Sequence, residues 1–415
     1  MNGHGSVRRS RWPHRFPVIL SACAGAIVAA AAGSASALQP LPAGIPVLQI
    51  ETSESTPITS RRKYVKGSVS LSANGSVDAT GRPTIETPIL PVRIRGRGNT
   101  SWEHPKKPLR LRFDSPTDLL GAGAAEVWVL LANYVDPSSL RNATAFELGR
   151  RIGMPFTPEA RHVYVIVNGT FQGLYLLTEQ TEVAPHRVVT DDAEGFLVDF
   201  DDYDDPDEPI FSTRILDLPL KIKKPNLSDL TADERARAVS RITGLFDHLE
   251  RTLTAADGPG DYAAIIDVDS FVDWFLTHEL THNYEPRHPK SCFFHRAADG
   301  RIAAGPIWDF DWAFDHEQLE PDVLLLKDVA WFRHLFKDPA FTAKVRARWA
   351  AIRRGPVDSL PQYVDGLAAS IRPAVERDMH AWPLDGDSRV ASAGPGLAEW
   401  LRTRIRLLDE AIGKL

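Results

Sequence analysis

The sequence predicts an α+β protein with a strand-rich first half carrying one helix and a mainly helical second half. Three observations carry this. Apolar and polar residues alternate with period two at Tyr64 to Leu71, Pro91 to Gly96 and Lys107 to Phe113. Asn168-Gly169 divides Arg161 to Thr178 into a long hairpin, because this dipeptide suits the positive φ angles of a tight two-residue turn. Beyond residue 230, apolar residues recur instead at helical spacing behind recognisable caps.

Residues 1–37 read as a signal peptide. Basic Arg8, Arg9, Arg11 and Arg15 precede an apolar run from Phe16 to Ala32, and Ala35-Ser36-Ala37 supplies a small-residue cleavage site. The expected mature chain starts near Leu38 and is secreted or held at the cell surface. Leu20-Ser21-Ala22-Cys23 also resembles a lipobox, but the apolar run continues well past Cys23, which favours ordinary cleavage near Ala37. Residues 38–60, rich in Pro, Ser and Thr, read as a linker.

In the first half, Ser138 to Ile152 has helical periodicity through Leu140, Ala143, Phe146 and Leu148, and stops at Gly153. In the second half, Thr231-Ala232-Asp233-Glu234 is a capping box opening a helix to about Leu253. Asp269 is expected to cap another running through Phe271, Trp274, Phe275 and Leu280 to Thr281. Asp299-Gly300 turns a short hairpin between Cys292-Phe293-Phe294 and Ile302-Ala303-Ala304, and helices follow from about Pro339 to the end.

Composition excludes some classes of partner. A net charge of −6, with arginines dispersed among acids, gives no basic tract for nucleic acid. No stretch of the mature chain is long and apolar enough for a membrane span. Of the two cysteines, Cys23 and Cys292, only one survives the expected cleavage, so stability rests on the core.

The most informative segment follows the short hairpin. Gly305-Pro306-Ile307-Trp308-Asp309-Phe310-Asp311-Trp312 sets two carboxylates among large apolar residues. Buried carboxylates are costly unless paired or bound to a metal, and hard oxygen ligands suit Mg²⁺ or Mn²⁺. Read alone, the same segment is also an Asp-rich turn capping a helix. The acidic run Asp199 to Glu208 is expected to be a solvated loop, having Pro steps and no EF-hand pattern.

These motifs, with Arg95-Gly96-Arg97-Gly98-Asn99-Thr100-Ser101-Trp102, Pro105-Lys106-Lys107-Pro108-Leu109-Arg110-Leu111 and Gly173-Leu174-Tyr175-Leu176-Leu177-Thr178-Glu179-Gln180, occur in an order that resembles the spore-coat protein H (CotH) kinase-like family. The resemblance implies a protein-kinase-like two-lobed fold, with a β-rich N-lobe over 61–180 and a mainly helical C-lobe over 181–415. It also implies ATP and Mg²⁺ or Mn²⁺ as cofactors, and phosphoryl transfer to a secreted or surface protein acceptor. On this reading Lys106 or Lys107 pairs with the phosphates, Lys106 being favoured by family position, and the Gly-rich run containing Arg97 offers backbone N–H groups. Glu179 and Gln180 lie beside the nucleotide, and Glu147 is the lysine's ion-pair partner. Asp309 and Asp311 hold the metal with Ser291 as a second-metal residue, and Glu285 orients the acceptor where family members usually have Asp. The alternative within the family is a catalytically weak pseudokinase acting as a surface adhesin or binding module.

A competing motif sits on the predicted helix. His278-Glu279-Leu280-Thr281-His282, with His288 beyond it, matches the spacing of a zinc metalloprotease, in which histidines at i and i+4 share a helix face.

Overall fold

The computed structural model describes residues 41–74, 86–121, 123–190, 194–205, 208–314, 324–383 and 396–415. The expected signal peptide and Cys23 lie outside them. Seven strands come first: β1 (Val47–Thr52), β2 (Val65–Ser72), β3 (Leu90–Gly96), β4 (Leu109–Thr117), β5 (Ala125–Leu131), β6 (Ala160–Val167) and β7 (Thr170–Glu179). They close into a barrel in the order β1-β2-β3-β4-β5-β7-β6. A single helical turn, α1 (Thr100–Glu103), sits between β3 and β4, and α2 (Arg141–Arg151) between β5 and β6.

The closed barrel, with a second sheet and helices beside it, overturns the expected kinase-like two-lobed fold. The cause is β1, which falls inside the stretch expected to be a linker. It pairs antiparallel with β2 and parallel with β6, Val47 lying opposite Tyr164, so the two edges of what would be an open sheet satisfy each other. Apolar side chains such as Ile50, Leu71, Ile94, Leu111, Trp128 and Leu130 fill the interior. Because side chains alternate, the same strands turn Arg93 and Arg95 of β3 and Arg110 and Arg112 of β4 outward. The register sets Arg93 opposite Arg112 and Arg95 opposite Arg110.

A five-stranded sheet of order β12-β11-β8-β10-β9 lies beyond, built from β8 (Leu197–Phe200), β9 (Phe211–Ser212), β10 (Pro219–Lys224), β11 (Cys292–Arg296) and β12 (Ile302–Ala304). Helices α3 (Ala232–Leu253), α4 (Val268–Leu280), α5 (Phe332–Leu335), α6 (Pro339–Ile352), α7 (Leu360–Ala381) and α8 (Leu397–Gly413) complete the order. An aromatic core joins sheet to helices, with Trp331 stacked on Phe246 at 5.6 Å and edge-on to Phe200 at 5.1 Å. Among the described residues no helix is long and apolar enough to cross a membrane.

The capping box of α3 forms, with Thr231 and Glu234 bonded reciprocally. The cap of α4 is Asp267 rather than Asp269. The Asp267 carboxylate accepts from the backbone N–H groups of Asp269 and Ser270, and Asp269 instead pairs with Lys344.

The zinc-protease motif is dismantled by its surroundings. α4 ends at Leu280 and His282 has φ 49°, so His278 and His282 do not share a helix face. His278 is stacked on Phe310 and packs at a tilt against Trp274, and burial pushes its pKa down to about 3. Glu279, fully buried, accepts from the N–H groups of Leu325 and Leu326 at 2.9 and 2.7 Å and pairs with Arg404 at 3.3 Å. It is an anchor for α8. Arg404→Met is therefore expected to destabilise the fold by about 3–5 kcal/mol, the cost of stranding a buried charge, measured by chemical denaturation.

Candidate active site

A cleft of about 350 Å³ runs between the outer face of β3–β5 and the end of the second sheet. Its barrel wall is basic. Arg95 and Arg110, directly opposed across two strands, both line it with Arg61, Arg62 and Arg97. Like charges facing one another across a ladder repel, and the Nε atoms of Arg95 and Arg110 are buried without a hydrogen-bond partner among the described residues. Arg97 lies over the Trp308 ring at 5.5 Å, and burial, with Arg110 and Arg95 nearby, pushes its pKa down to about 10. Arg62 pairs with Asp205 at 3.4 Å, which leaves Arg61, Arg95, Arg97 and Arg110 as the cations of this wall without a salt bridge among the described residues.

The facing wall is acidic. β12 leads directly into Asp309 and Asp311, and α2 holds them in place. The Asn142 carboxamide accepts from the Phe310 N–H at 2.9 Å and donates to the Asp311 carboxylate, while Arg141 donates to the Asp311 carbonyl at 2.8 Å. Asp136 accepts from the Arg141 N–H at 2.9 Å, fixing the start of that helix. Ser291, just before β11, donates to Asp309 at 3.0 Å. Glu285 follows α4 and lines the same cleft, and β8 delivers Asp199 and Asp201 to it. Asp309, Ser291 and Asn133 all adopt positive φ, at 63°, 53° and 49°. Left-handed backbone at non-glycine residues gathers where the surroundings over-determine it.

Crowding and burial hinder the ionisation of these acids. Burial and then the Asp309 charge push Glu285 up to about 8 and Asp311 up to about 7, and burial raises Asp309 despite nearby Arg97. Asp199, only 6% exposed, is pushed up to about 7 by burial and carries an oxygen without a partner among the described residues. The stability consequence has a definite sign. A carboxyl whose folded pKa is raised favours folding below its unfolded value near 4, and that contribution is lost as pH rises through the folded value. Above the unfolded histidine value near 6.5 and up to about pH 8.5, the melting temperature is expected to fall in EDTA. Excess Mg²⁺ should largely restore it, as scanning calorimetry would register.

The cleft gathers some of the expected residues and leaves others elsewhere. Arg97, Gln180, Glu285, Ser291, Asp309 and Asp311 line it. Lys106 does not. It is 1% exposed, donates to the Leu174 carbonyl at 2.5 Å and to Asp378 of α7 at 2.8 Å, and lies over the Tyr175 ring. Its charge serves the packing of α7 on the barrel. Lys107 donates to the Trp102 carbonyl at 2.7 Å and pins α1. Glu179 is buried against Arg187 at 3.2 Å and accepts from the Glu159 N–H at 2.9 Å, and Glu147 pairs with Arg150 and Arg151 of its own helix. In the Gly-rich run, the N–H groups of Gly96, Arg97 and Trp102 already bond to Ser60, Pro108 and Asn99. A side chain at Gly96 would run into the Trp102 ring, so that glycine makes room for α1.

The acidic run begins as a buried strand end facing the cleft rather than as a solvated loop. Asp199, Asp201, Arg95, Arg110 and Asn142 were not singled out from the sequence. The alternation Arg93-Ile94-Arg95 and Arg110-Leu111-Arg112 is the signal that marks an outward arginine pair. Among the described residues no three His, Cys, Asp or Glu side chains converge closely enough to hold a metal by themselves. A cation here would need oxygens from a ligand or water as well, which is the usual habit of Mg²⁺.

A cleft with one wall short of an anion and the other crowded with carboxylates has the chemistry to hold a polyanion together with a cation. The family model for the CotH kinase protein matches residues 93–408, and the chain belongs to that family. Membership suggests a kinase-like function. Among curated proteins, none matches the chain.

Proposed function

We propose that the protein transfers the terminal phosphate of ATP to a protein acceptor, with Mg²⁺ or Mn²⁺, outside the cytoplasm. The observation that carries this is the opposition, across one cleft, of paired arginines with unsatisfied Nε atoms and carboxylates that hinder each other's ionisation. Asp309 and Asp311 would hold the metal, Ser291 and Asn142 orienting them, and the bound cation would supply charge neutralisation at the phosphate oxygens. Arg97, Arg95 and Arg110 bind phosphate oxygens, a task for which a planar guanidinium suits better than the point charge of a lysine. Glu285 takes the proton of the acceptor hydroxyl, and its raised pKa matches a base working near neutral pH once the Asp309 charge is countered. The expected signal peptide supports a secreted or cell-surface location.

Titration calorimetry with Mg²⁺·ATP, beside a labelled-phosphate transfer assay on the mature protein, tests this. Glu285→Gln is expected to bind Mg²⁺·ATP normally and to lose transfer by about 10²–10⁴-fold. A wild-type protein that binds no nucleotide would sink the proposal. One that binds it while transferring no faster than Glu285→Gln would instead be a binding module.

A further inference from the structure

Two rows of like charge cross the outer face of β2, β3 and β4. In the row nearer the cleft Arg95 lies opposite Arg110, and in the next row, two residues along β3 and β4, Lys66 lies opposite Arg93 and Arg93 opposite Arg112. Alternation puts all five on one face. Arg95 and Arg110 line the cleft, whereas Arg93 and Arg112 lie outside its lining with side chains 39% and 43% exposed, and Lys66 is exposed beside them. Tyr64 joins the rows, with Arg93 and Arg95 over its ring at 5.9 and 5.2 Å. The cationic surface thus continues from the cleft onto the open barrel wall.

Like charges set opposite one another across a ladder repel, and the acids nearby answer only part of this. Asp114 pairs with Arg93 at 2.9 Å and Glu126 with Arg112 at 3.7 Å, but both acids are themselves exposed, and such pairs contribute little. Glu182, which acts on Arg110, is held by the buried Arg187. Beyond the second row come only acids, Glu51 opposite Ser68 on one side and Asp114 and Glu126 on the other. They confine the positive surplus to a strip about 10 Å wide, two strand spacings, whose open end is the cleft. A strip this narrow, on a chain of net charge −6, suits a short run of single carboxylates better than a nucleic acid or a lipid surface, which call for a broad field. Successive cations along β3 and along β4 stand about 7 Å apart, which is the repeat of alternate side chains in any extended peptide. Acids at every second position of such a peptide match them.

We propose that Lys66, Arg93 and Arg112 dock the acceptor, an acidic polypeptide with carboxylates on alternate residues beside the hydroxyl that receives the phosphate. With phosphate oxygens on Arg95, Arg97 and Arg110, that hydroxyl enters the cleft and the flanking residues leave it past Tyr64 onto the second row. Each guanidinium there offers paired N–H donors to a carboxylate. Asp114 and Glu126, as exposed partners, are displaced by the incoming acids at small cost. The proposal names the substrate class of the phosphoryl-transfer reading and rests on that reading for the word acceptor only, because docking is measured without turnover.

The experiment uses the full mature chain and fluorescent peptides of about ten residues, the length of a long strand, each with a central serine and glutamate at alternate flanking positions. Matched sets carry glutamine or lysine at those positions. Arg93→Gln with Arg112→Gln removes two charges outside the cleft, and Arg93→Glu with Arg112→Glu reverses them. Anisotropy titrations are expected to show wild type binding the glutamate set about tenfold more tightly than the glutamine set, a gap that closes in about 0.5 M NaCl as screening shortens to about 4 Å. The double glutamine variant should lose most of that preference. The double glutamate variant should prefer the lysine set, a reversal that a merely structural role would not give. Mg²⁺·ATP affinity and melting temperature of the double glutamine variant, measured in parallel, should stay close to wild type. A wild type indifferent to the charge of the flanks would overturn the proposal, as would an unchanged preference in both variants, or tighter binding of a charge-matched oligonucleotide or an anionic vesicle. Acidic-peptide docking through these arginines in a protein that binds no Mg²⁺·ATP would uphold the docking strip and sink the phosphoryl-transfer reading alone.

Discussion

Asp309→Ala is expected to remove metal-dependent nucleotide binding and to lower phosphate transfer by about a thousandfold or more, while leaving the fold intact. The carboxylate faces the cleft, accepts one side-chain hydrogen bond among the described residues, from Ser291, and has its pKa raised by burial. Removing it relieves repulsion on Glu285 and Asp311, which offsets the strain of an alanine at φ 63°, so the apo variant should melt close to wild type. This combination separates a functional carboxylate from a structural one. Asp311→Ala is expected to weaken binding as well, but with a stability loss, because Asn142 of α2 donates to that side chain. Calorimetry with and without Mg²⁺, and melting curves of both variants, would decide it. Nucleotide binding at wild-type strength in both would show that neither holds the metal.

Lys106→Ala is expected to do the reverse, destabilising the protein by about 3–5 kcal/mol while leaving nucleotide affinity alone. The ammonium is buried against Asp378, whose carboxylate also accepts from the Leu174 N–H at 2.8 Å. Truncating the lysine strands that charge between α7 and β7. The double variant Lys106→Met, Asp378→Leu should recover much of the loss, since two apolar groups leave no unpaired ion. Denaturant titrations of the single and double variants measure this, and a large loss of Mg²⁺·ATP affinity in Lys106→Met with an intact fold would contradict it.

These two residues show what was legible beforehand. Asp309 and Asp311 are recognisable because acids amid Trp308, Phe310 and Trp312 conflict with local hydrophobicity, and that conflict needs no tertiary information. Lys106 and Lys107 were ambiguous for the opposite reason. A lysine at a strand start fits an edge, a phosphate site or a buried pair equally well, and only a partner distant in the chain, Asp378, decides among them. Glu179 is the same case, settled by Arg187. The hairpin at Asn168-Gly169 and the capping box at Thr231 were legible because their hydrogen bonds are local. The closed barrel was not. Val47 to Thr52 carries alternating burial, but it sits behind a Pro-rich stretch and pairs in parallel with a strand far along the chain. Asp199 was misread because an acidic run looks solvated until the register of β8 shows which of its members point inward.

The parallel pairing of β1 with β6 also sets an order of events during synthesis. β1 is made first among the barrel strands, and one of its two neighbours is not made until the Tyr164 end of β6 has left the ribosome. Until then its apolar face, Leu48 and Ile50, and one full row of backbone donors and acceptors remain open to whatever strand arrives first. The secretion proposed above would need a threadable chain, and on that reading the closure would have to be postponed. A holding chaperone acting on the stretch from Val47 onward would do so without touching the cleft.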